Sequence, residues 1–395
     1  MRTLTRTWTD LIPHNNLRSS LGLPLMLGVL SIFLSSPAHA GAVAIRVLLL
    51  QNLSTFPLSV PPNYTVLTQP AGVIPADVDN WRTFQVQANN RSIRIPGIGV
   101  EVEELRLVPR IKDGVIYAGS KLYRGSLEVK WRAGGLIVVN TLDLEEYLYG
   151  VVPKEAPSQW QMAALQAQAI VARTYALYKR SRQVNRDYDL AAQYIRDQHY
   201  EGFSAEHART TQAVNDTQGL VLTCRGELIP AYYHAESAGH TENSEHVWSS
   251  PHPCLRAVKA PMYSASPYLQ WSASLSLQDI QTALAKYGQA VGAIRRLELI
   301  EHSPTGRVTR VKITHKGGES VVRGADFRLA LGPEVIRSTR FTVQLRDGRA
   351  FFHGQGWGHG VGLCQWCSQG MAELGYDYEA ILTHYYQGAK LSHYQ

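Results

Sequence analysis

The chain has 395 residues, enough for one large domain or two ordinary domains with a hydrophobic core. Its 39 basic and 32 acidic residues give a formal net charge of +7, spread along the chain. This excess of positive charge favours binding to an anionic polymer, whereas the lack of a basic stripe argues against a nucleic-acid partner. In an oxidising compartment the four cysteines allow two disulfides in three pairings, which the sequence does not rank.

The first forty residues have the pattern of a secretory signal peptide. Three arginines precede the apolar run LGLPLMLGVLSIFL, and Ala38-His39-Ala40 follows as a small-residue cleavage pattern. A retained membrane anchor is the alternative, but the run is shorter than the ~20 residues that span a bilayer. The sequence therefore predicts cleavage after Ala40, no stable membrane span afterwards, and export to the periplasm or the cell wall.

The chain after the signal segment shows strand patterns first and mixed patterns later. Short apolar runs that alternate with period two, such as FQVQANN and GLIVVN, are typical of strands. Further on, the helical pattern SLQDIQTALAKYG alternates with strand patterns such as RVTRVKITH. We predict an α+β fold, with a β-rich N-terminal region over residues 41–140. A mixed catalytic domain with a long alanine-rich helix follows over residues 141–395.

The stretch GVVPKEAPSQW, residues 150–160, holds Glu155 between two prolines. Proline fixes its own φ and disfavours helical backbone in the residue before it, so we predict a stiff, non-helical turn at Lys154 and Glu155. Ser158 is a natural N-cap, and the alanine-rich run after it predicts a helix to about Arg180. Glu155 would then project from a rigid loop beside a helix N-terminus.

Small apolar side chains cover most of the surface of the predicted helix. Six alanines between Ala163 and Ala176 would let it approach a neighbouring element closely, which favours a buried scaffold over a binding surface. Gln168 and Arg173 are the polar exceptions. Because polar groups in a packed helix must be satisfied, both are candidates to brace the turn that holds Glu155, by structural hydrogen bonds or by ligand contact.

The stretch YYHAESAGHTENSEHVW, residues 232–248, interleaves histidines with glutamates. Imidazole and carboxylate groups together are plausible ligands for a zinc-like ion, so His234, His240 and His246 are candidate metal ligands. The six-residue spacing matches no standard metal motif. Ordinary polar histidines in a loop are the alternative.

The stretch FFHGQGWGHGVGLCQWCSQG, residues 351–370, has glycines at alternate positions from Gly354 to Gly362. If the segment is extended, the glycines share one face that another backbone or a sugar ring can approach closely; tight glycine packing is the alternative. Cys364 and Cys367 predict a local disulfide or two buried thiols. A redox pair should instead open a helix of a thioredoxin-like unit, which we do not expect here.

Several segments together resemble the SpoIID/LytB domain family of the bacterial cell wall. They are LEEYLYGVVPKEAPSQWQMAALQAQAIVARTYAL, YYHAESAGHTENSEHVW, FRLALGPEVIRSTRF and HGQGWGHGVGLCQWCSQGMAELGYDYEAILTHYYQGAKL. The resemblance covers most of residues 142–395. It implies a lytic transglycosylase that acts on the glycan strands of peptidoglycan, with Glu155 as the catalytic acid. The LytB branch implies instead a non-catalytic, wall-binding enhancer of an N-acetylmuramoyl-L-alanine amidase.

The resemblance also implies further site residues. It places Gln198, Tyr200, His359 and Gln365 near the active cleft, where they join Gln168 and Arg173 as candidate substrate-binding residues. Some members of the family hold zinc through histidine and cysteine in the segment that matches residues 234–246. The resemblance implies zinc with His234, His240 and His246 as ligands, although this chain departs from the family's ligand pattern by having Ala238 where a cysteine is common.

One carboxylate suffices for lytic cleavage, whereas an ordinary glycosidase needs two. Glu155 would protonate the oxygen between N-acetylmuramic acid and N-acetylglucosamine and then take the C6 hydroxyl proton of the same muramic ring, which closes to a 1,6-anhydro product. Burial against aromatic side chains would have to outweigh Lys154 and the helix N-terminus, which both favour the ionised form. The candidates for this aromatic wall are Trp160, Tyr147 and Tyr149. A hydrolase with two carboxylates is the alternative, and its second acid would be Asp143, Glu145 or Glu146.

Overall fold

The computed structural model describes residues 43–70, 72–74, 82–183, 186–248 and 250–394. The predicted signal segment lies outside these residues. The described chain combines helices with several sheets, and strands dominate its N-terminal region. The predicted α+β class with a β-rich N-terminal region is therefore confirmed.

The N-terminal region consists of strands whose side chains alternate between the core and the solvent. The strands are β1 (Ala44–Leu53), β2 (Thr55–Val60), β3 (Tyr64–Gln69), β4 (Gly72–Ile74), β5 (Arg82–Asn89), β6 (Ser92–Ile95), β7 (Val100–Val102), β8 (Glu104–Pro109), β9 (Val115–Ala118), β10 (Lys121–Arg124), β11 (Ser126–Arg132) and β12 (Gly135–Asp143). In β6, Ile93 and Ile95 are buried whereas Arg94 is exposed. This alternation lets each sheet bury one face.

These strands form two sheets. One has the order β10-β9-β2-β5-β6-β7. The other has the order β13-β1-β12-β11-β8-β3-β4, in which β13 (Leu190–Ala191) comes from a later part of the chain and pairs in parallel with β1. The N-terminal region and the segment after the long helix therefore share one sheet.

The predicted turn at Glu155 is wrong, because the chain is helical there. Helix α1 (Leu144–Glu155) runs through Pro153 and ends at Glu155. Its buried face, which includes Leu148 and Val152, packs into the core of the N-terminal sheets. Tertiary packing therefore outweighs the weak helical preference of proline and of the residue before it.

The alanine-rich helix α2 (Met162–Arg182) begins later than predicted, and Ser158 does not cap it. The chain before it forms a turn, in which the Trp160 amide donates to the Pro157 carbonyl at 3.0 Å. The Gln161 amide then donates to the side chain of Gln369 at 2.9 Å. These contacts anchor the segment between the two helices to a distant part of the chain, which a local pattern does not reveal.

The rest of the described chain mixes short strands with helices, and none of the described helices is long and apolar enough to cross a membrane. The predicted pattern SLQDIQTALAKYG is confirmed as a helix over Leu277–Lys286, and RVTRVKITH is confirmed as a strand over Val308–His315. The helices are α3 (Ala208–Asp216), α4 (Ser244–Trp248), α5 (Leu277–Lys286), α6 (Gly324–Leu331), α7 (Gln365–Glu373) and α8 (Tyr378–Tyr385). The strands are β14 (Leu220–Cys224), β15 (Glu227–Leu228), β16 (Tyr233–His234), β17 (Trp271–Ser276), β18 (Ile294–His302), β19 (Val308–His315), β20 (Gly318–Arg323), β21 (Phe341–Arg346), β22 (Arg349–Gly354), β23 (Leu363–Cys364) and β24 (Lys390–His393).

Three large hydrophobic cores organise the described residues. The first joins the N-terminal sheets to α1 and α2, so it crosses position 140, where we placed a domain boundary. The second joins α2 to α7 and α8, and the third lies among α5, α6 and strands β17 to β22. Helix α2 contributes Ala169 and Ala172 to the first core and Ala167 and Ile170 to the second. The prediction that this helix is buried scaffold is confirmed.

Candidate active site

A cavity of about 920 Å³ brings together residues from distant parts of the chain. Glu155 lines it from the end of α1, and Gln365 lines it from the start of α7. His359 contributes from the glycine-rich segment, and Arg307 and Arg328 contribute from the part of the chain that contains the third core. A cavity of this size can hold an extended ligand such as several sugar rings.

The carboxylate of Glu155 is half-buried and hydrogen-bonded on both oxygens. Its Oε1 accepts from the His199 amide at 2.8 Å, and its Oε2 accepts from Gln365 Nε2 at 3.4 Å. Gln365 Nε2 also lies 3.0 Å from the Glu155 carbonyl oxygen and 3.3 Å from Gln168 Oε1. The predicted bracing of Glu155 therefore exists for Gln168, and it acts through Gln365.

Burial raises the pKa of Glu155 above the usual range of a glutamate, although His199, Tyr233 and Gln365 donate hydrogen bonds that favour the ionised form. Glu155 also ends α1, so the negative end of that helix dipole lies beside it and favours the neutral acid. Lys154 pairs with Glu201 at 3.2 Å, which offsets its charge. The surroundings thus favour a protonated acid more than the sequence suggested.

Tyr233 is oriented towards Glu155 by a buried glutamine. Gln198 is fully buried, accepts a hydrogen bond from the Tyr147 hydroxyl at 3.1 Å, and donates to the Tyr233 hydroxyl at 3.2 Å. Because the Tyr233 oxygen accepts this bond, its own proton is free for the Glu155 carboxylate, to which it is hydrogen-bonded. Gln198, predicted as a substrate-binding residue, does not line the cavity and reaches the site through Tyr233.

Arg173 and Tyr200 lie behind the site rather than in it. Arg173 is fully buried and donates to the two carboxylate oxygens of Glu145 at 2.8 and 2.6 Å. The Tyr200 ring packs against Tyr147, and its hydroxyl donates to Asn140 at 2.8 Å. Neither predicted substrate-binding residue lines the cavity, because each satisfies a buried polar partner in the scaffold.

Aromatic side chains form two walls of the cavity. Trp160 and Trp366 meet edge to face, with ring centroids 5.0 Å apart. Tyr232 stacks on Trp248 with centroids 4.1 Å apart. Of the predicted aromatic candidates, Trp160 lines the cavity and the other two do not. Large rings of this kind offer flat apolar faces for a ligand.

The three acids that were candidates for a second catalytic carboxylate do not reach the cavity. Asp143 accepts from the Glu145 amide at 2.9 Å and caps α1, while Glu145 and Glu146 lie in the first turn of that helix. None of the three lines the cavity. The described acids that do line it besides Glu155 are Asp197, Glu242 and Asp326.

Two family models match the chain in separate segments. The model described as "Stage II sporulation protein" matches residues 132–224, which include Glu155. A model described as "Domain of unknown function (DUF8618)" matches residues 260–362, which include Arg307 and Arg328. The cavity is therefore lined by residues from both matched segments.

Similarity to named proteins identifies the family of this chain. The chain is 31% identical to "Stage II sporulation protein D" of Bacillus amyloliquefaciens over 64% of its own length and 75% of that protein. It belongs to the SpoIID family. It is also 33% identical to an uncharacterised protein of Brachyspira hyodysenteriae, over 79% of this chain and 83% of that protein. It is 29% identical to "Amidase enhancer" of Bacillus subtilis, over 62% of this chain and 40% of that protein.

The three histidines predicted as zinc ligands do not come together in this SpoIID-family protein. His234 is buried in the cavity wall, and His246 also lies on this wall, 2.8 Å from Glu242. His240 is exposed and outside the cavity, because a turn at Gly239, with φ of 100°, separates it from His234. Among the described residues, these histidines form no group of ligand atoms within metal-binding reach. The predicted ligand set is therefore corrected.

One carboxylate does lie close to two cysteines. The potential ligand atoms of Glu236, Cys364 and Cys367 are within 4.8 Å of one another. The two sulfurs are joined in a disulfide, however, and zinc binds thiolates. The buried guanidinium of Arg307 also acts on Glu236 as a neighbouring positive charge. Zinc therefore does not fit this group, which is the one cluster of potential metal ligands among the described residues.

The two disulfides settle the cysteine pairing that the sequence left open. Cys224 pairs with Cys254, and Cys364 pairs with Cys367. The prediction of a local disulfide is confirmed. Cys364 is also the N-cap of α7. The disulfide therefore fixes the first turn of the helix that carries Gln365.

The glycine-rich segment is not extended, and tight packing explains its glycines. Four of them, at positions 356 to 362, have φ between 73° and 113°. A Cβ on Gly358 would lie 2.5 Å from the Cβ of His234, and one on Gly362 would lie 2.0 Å from the Tyr232 carbonyl oxygen. Glycine is required because the segment packs directly against the backbone that carries Tyr233.

We expect Gly362→Ala to lower the free energy of unfolding by about 3 kcal/mol or more, since it combines an unfavourable φ with a backbone clash. Gly375→Ala is the matched control: its φ is 90°, but no atom lies within 4 Å of its added Cβ. That variant should lose only about 1 kcal/mol. Urea unfolding followed by circular dichroism measures both, and equal losses would contradict the clash.

The sequence patterns did not identify four groups that contribute to the site. Tyr233 lies in the quoted histidine-rich stretch, and its position beside His234 was the available signal. The His199 backbone amide left no signal, since any residue can supply it. Arg307 is a single cation without a motif, and Arg328 lies in the quoted segment FRLALGPEVIRSTRF, which did not single it out. Only the packing of the chain brings both to the cavity.

Proposed function

We propose that this protein is a peptidoglycan lytic transglycosylase that cleaves the bond between N-acetylmuramic acid and N-acetylglucosamine in glycan strands. The observation that carries the proposal is Glu155, a half-buried acid with a raised pKa in a large aromatic-lined cavity. Membership of the SpoIID family and the names of its relatives support a role in the cell wall. Export to the periplasm or the cell wall would bring the protein to this substrate.

Glu155 acts first as an acid and then as a base. Its proton passes to the bridging oxygen, so the bond from that oxygen to C1 of the muramic residue breaks and N-acetylglucosamine leaves with a free 4-hydroxyl. The C6 hydroxyl of the same muramic ring then attacks C1, and its proton returns to the Glu155 carboxylate. The nucleophile belongs to the substrate, so positioning replaces a second carboxylate. Tyr233 and Gln365 hold the carboxylate between the two steps.

Product analysis tests the reaction type. We expect purified mature protein, incubated with glycan strands, to release fragments that end in 1,6-anhydro-N-acetylmuramic acid. Mass spectrometry distinguishes these ends from reducing ends, which are heavier by one water. Reducing ends would show a hydrolase, in which Asp197 or Asp326 would supply the second carboxylate. A lack of new ends on every strand tested would remove the enzymatic proposal.

A second candidate is a non-catalytic protein that binds the wall and stimulates an amidase. The relative named "Amidase enhancer" favours it, although the match covers 40% of that protein. In this case the protein would bind glycan without producing new ends. Turnover of a cell-wall amidase, measured by release of stem peptides, would rise when the protein is added.

A further inference from the structure

Two arginines from the segment that matches the domain of unknown function line the cavity. Arg307 lies just before β19 and is only 2% exposed, and Arg328 lies in α6 and is 9% exposed. Neither arginine forms an ion pair with a carboxylate within 4 Å in the part of the chain that the structure describes. Two buried guanidinium groups without a carboxylate are costly, because burial removes the water that stabilises their charge.

The hydrogen-bonding capacity of Arg307 is largely unused. Its Nη2 donates to the Ser237 carbonyl oxygen at 3.1 Å, but its Nε and Nη1 have no partner among the described residues. Arg328 donates from Nε to the Arg337 carbonyl oxygen at 3.1 Å. Burial lowers the pKa of each guanidinium to about 10, so both remain cations at neutral pH.

The neighbouring acids act on this pair through space and form no hydrogen bond with it among the described residues. Glu242 attracts Arg307 through space, but its carboxylate accepts hydrogen bonds from Ser303 and Thr305 and contacts His246. Glu236 also attracts Arg307, and Glu334 attracts Arg328. Arg307 therefore keeps N–H donors that no acid among the described residues occupies and that a ligand can use.

The surroundings are shaped around these cations. A Cβ on Gly360 would lie 2.5 Å from Arg307 Cζ, so a glycine is needed for the guanidinium to fit. The rings of His234 and His359 lie 5.7 Å apart on the same wall, and His234 Nε2 has no partner among the described residues. Burial lowers the pKa of His359 to about 3 and that of His234 well below its usual range. Both imidazoles are therefore neutral and leave the positive charge to the arginines.

We infer that Arg307 and Arg328 form a subsite that binds a carboxylate of the glycan substrate. A guanidinium offers a planar fork of N–H donors that matches a carboxylate. On a glycan strand this carboxylate has two sources: the lactyl group of a muramic residue that lacks its stem peptide, or the stem peptide itself. The inference rests on the proposed function. It assigns substrate binding to residues 260–362, the segment that matches the domain of unknown function, in the same cavity as Glu155.

Binding by a Glu155→Gln variant tests the subsite without cleavage. Isothermal titration calorimetry would compare three glycan strands: strands with free lactyl carboxylates, the same strands with these groups converted to neutral methylamides, and strands with intact stem peptides. We expect the neutral strands to bind about tenfold more weakly than one of the charged kinds, as loss of a charged hydrogen bond implies. The kind that binds more tightly identifies the source of the carboxylate.

Adding Arg328→Gln should abolish this difference, whereas Arg328→Lys should retain part of it. Arg323→Gln is the matched control, since Arg323 lines the cavity but is exposed, and it should keep the full difference. Circular dichroism shows whether each variant is folded, and Arg307→Lys provides a second probe if Arg328→Gln unfolds. The subsite would be overturned if neither charged kind of strand bound more tightly than the neutral strands. If the charge preference persists while the wild type yields no anhydro ends, the subsite stands and the proposed reaction fails.

Discussion

Glu155→Gln is expected to lower the rate of glycan cleavage by about a thousandfold or more, in line with the loss of a general acid–base catalyst. Glutamine has nearly the same shape as glutamate, and its amide oxygen can still accept the hydrogen bond from the His199 amide. An amide, however, neither delivers a proton to the leaving oxygen nor accepts one from the C6 hydroxyl. The change should therefore remove both proton transfers while preserving the fold. Quantified anhydro ends measure the rate, and circular dichroism confirms the fold.

Asp326→Asn is the matched control for this prediction. Asp326 is another acid that lines the cavity, in the first turn of α6, and the proposed mechanism does not use it. We expect this variant to cleave at close to the wild-type rate. Comparable losses in both variants would favour a two-carboxylate hydrolase. A folded Glu155→Gln variant with full activity would remove Glu155 from the mechanism.

Secondary structure was predictable where its pattern is local. Helix α2 and strand β19 follow from the periodicity of their own apolar residues. The end of α1 was not predictable in this way. Its helical state at Pro153 depends on burial of the α1 face against sheets formed by residues far away in the sequence. Local preference is weak compared with such packing, so the prolines pointed to a turn that does not exist.

The candidate site was predictable only in part, for a similar reason. Glu155 was named from its proline-flanked stretch, and His359 and Gln365 were named from the family resemblance; all three line the cavity. The spacing of the histidines suggested a metal site, but a turn at Gly239 directs His240 away from the others. Arg307 could not be named at all, because a single arginine carries no pattern. Its burial and missing partners are properties of the folded chain.

Tyr233→Phe is expected to move the alkaline limb of the pH profile of kcat/KM to higher pH. Burial raises the pKa of Glu155, and the hydrogen bond from Tyr233 opposes this effect by stabilising the ionised form. Without the hydroxyl, one hydrogen bond fewer counteracts the effect of burial, so the pKa of Glu155 should rise further. The first step needs the protonated acid, so activity is lost as the pH rises through this pKa. The limb of the variant should therefore lie above that of the wild type.

The size of the rate change separates positioning from acidity. Without the hydroxyl the carboxylate loses one of its hydrogen bonds, so we expect kcat at the optimum to fall by about tenfold, as loss of one such bond implies. Tyr232→Phe is the matched control: Tyr232 lines the same cavity and stacks on Trp248, a contact that phenylalanine preserves. Its limb should stay at the wild-type pH. A limb that moves to lower pH in Tyr233→Phe would contradict a hydrogen bond from Tyr233 that stabilises the ionised form.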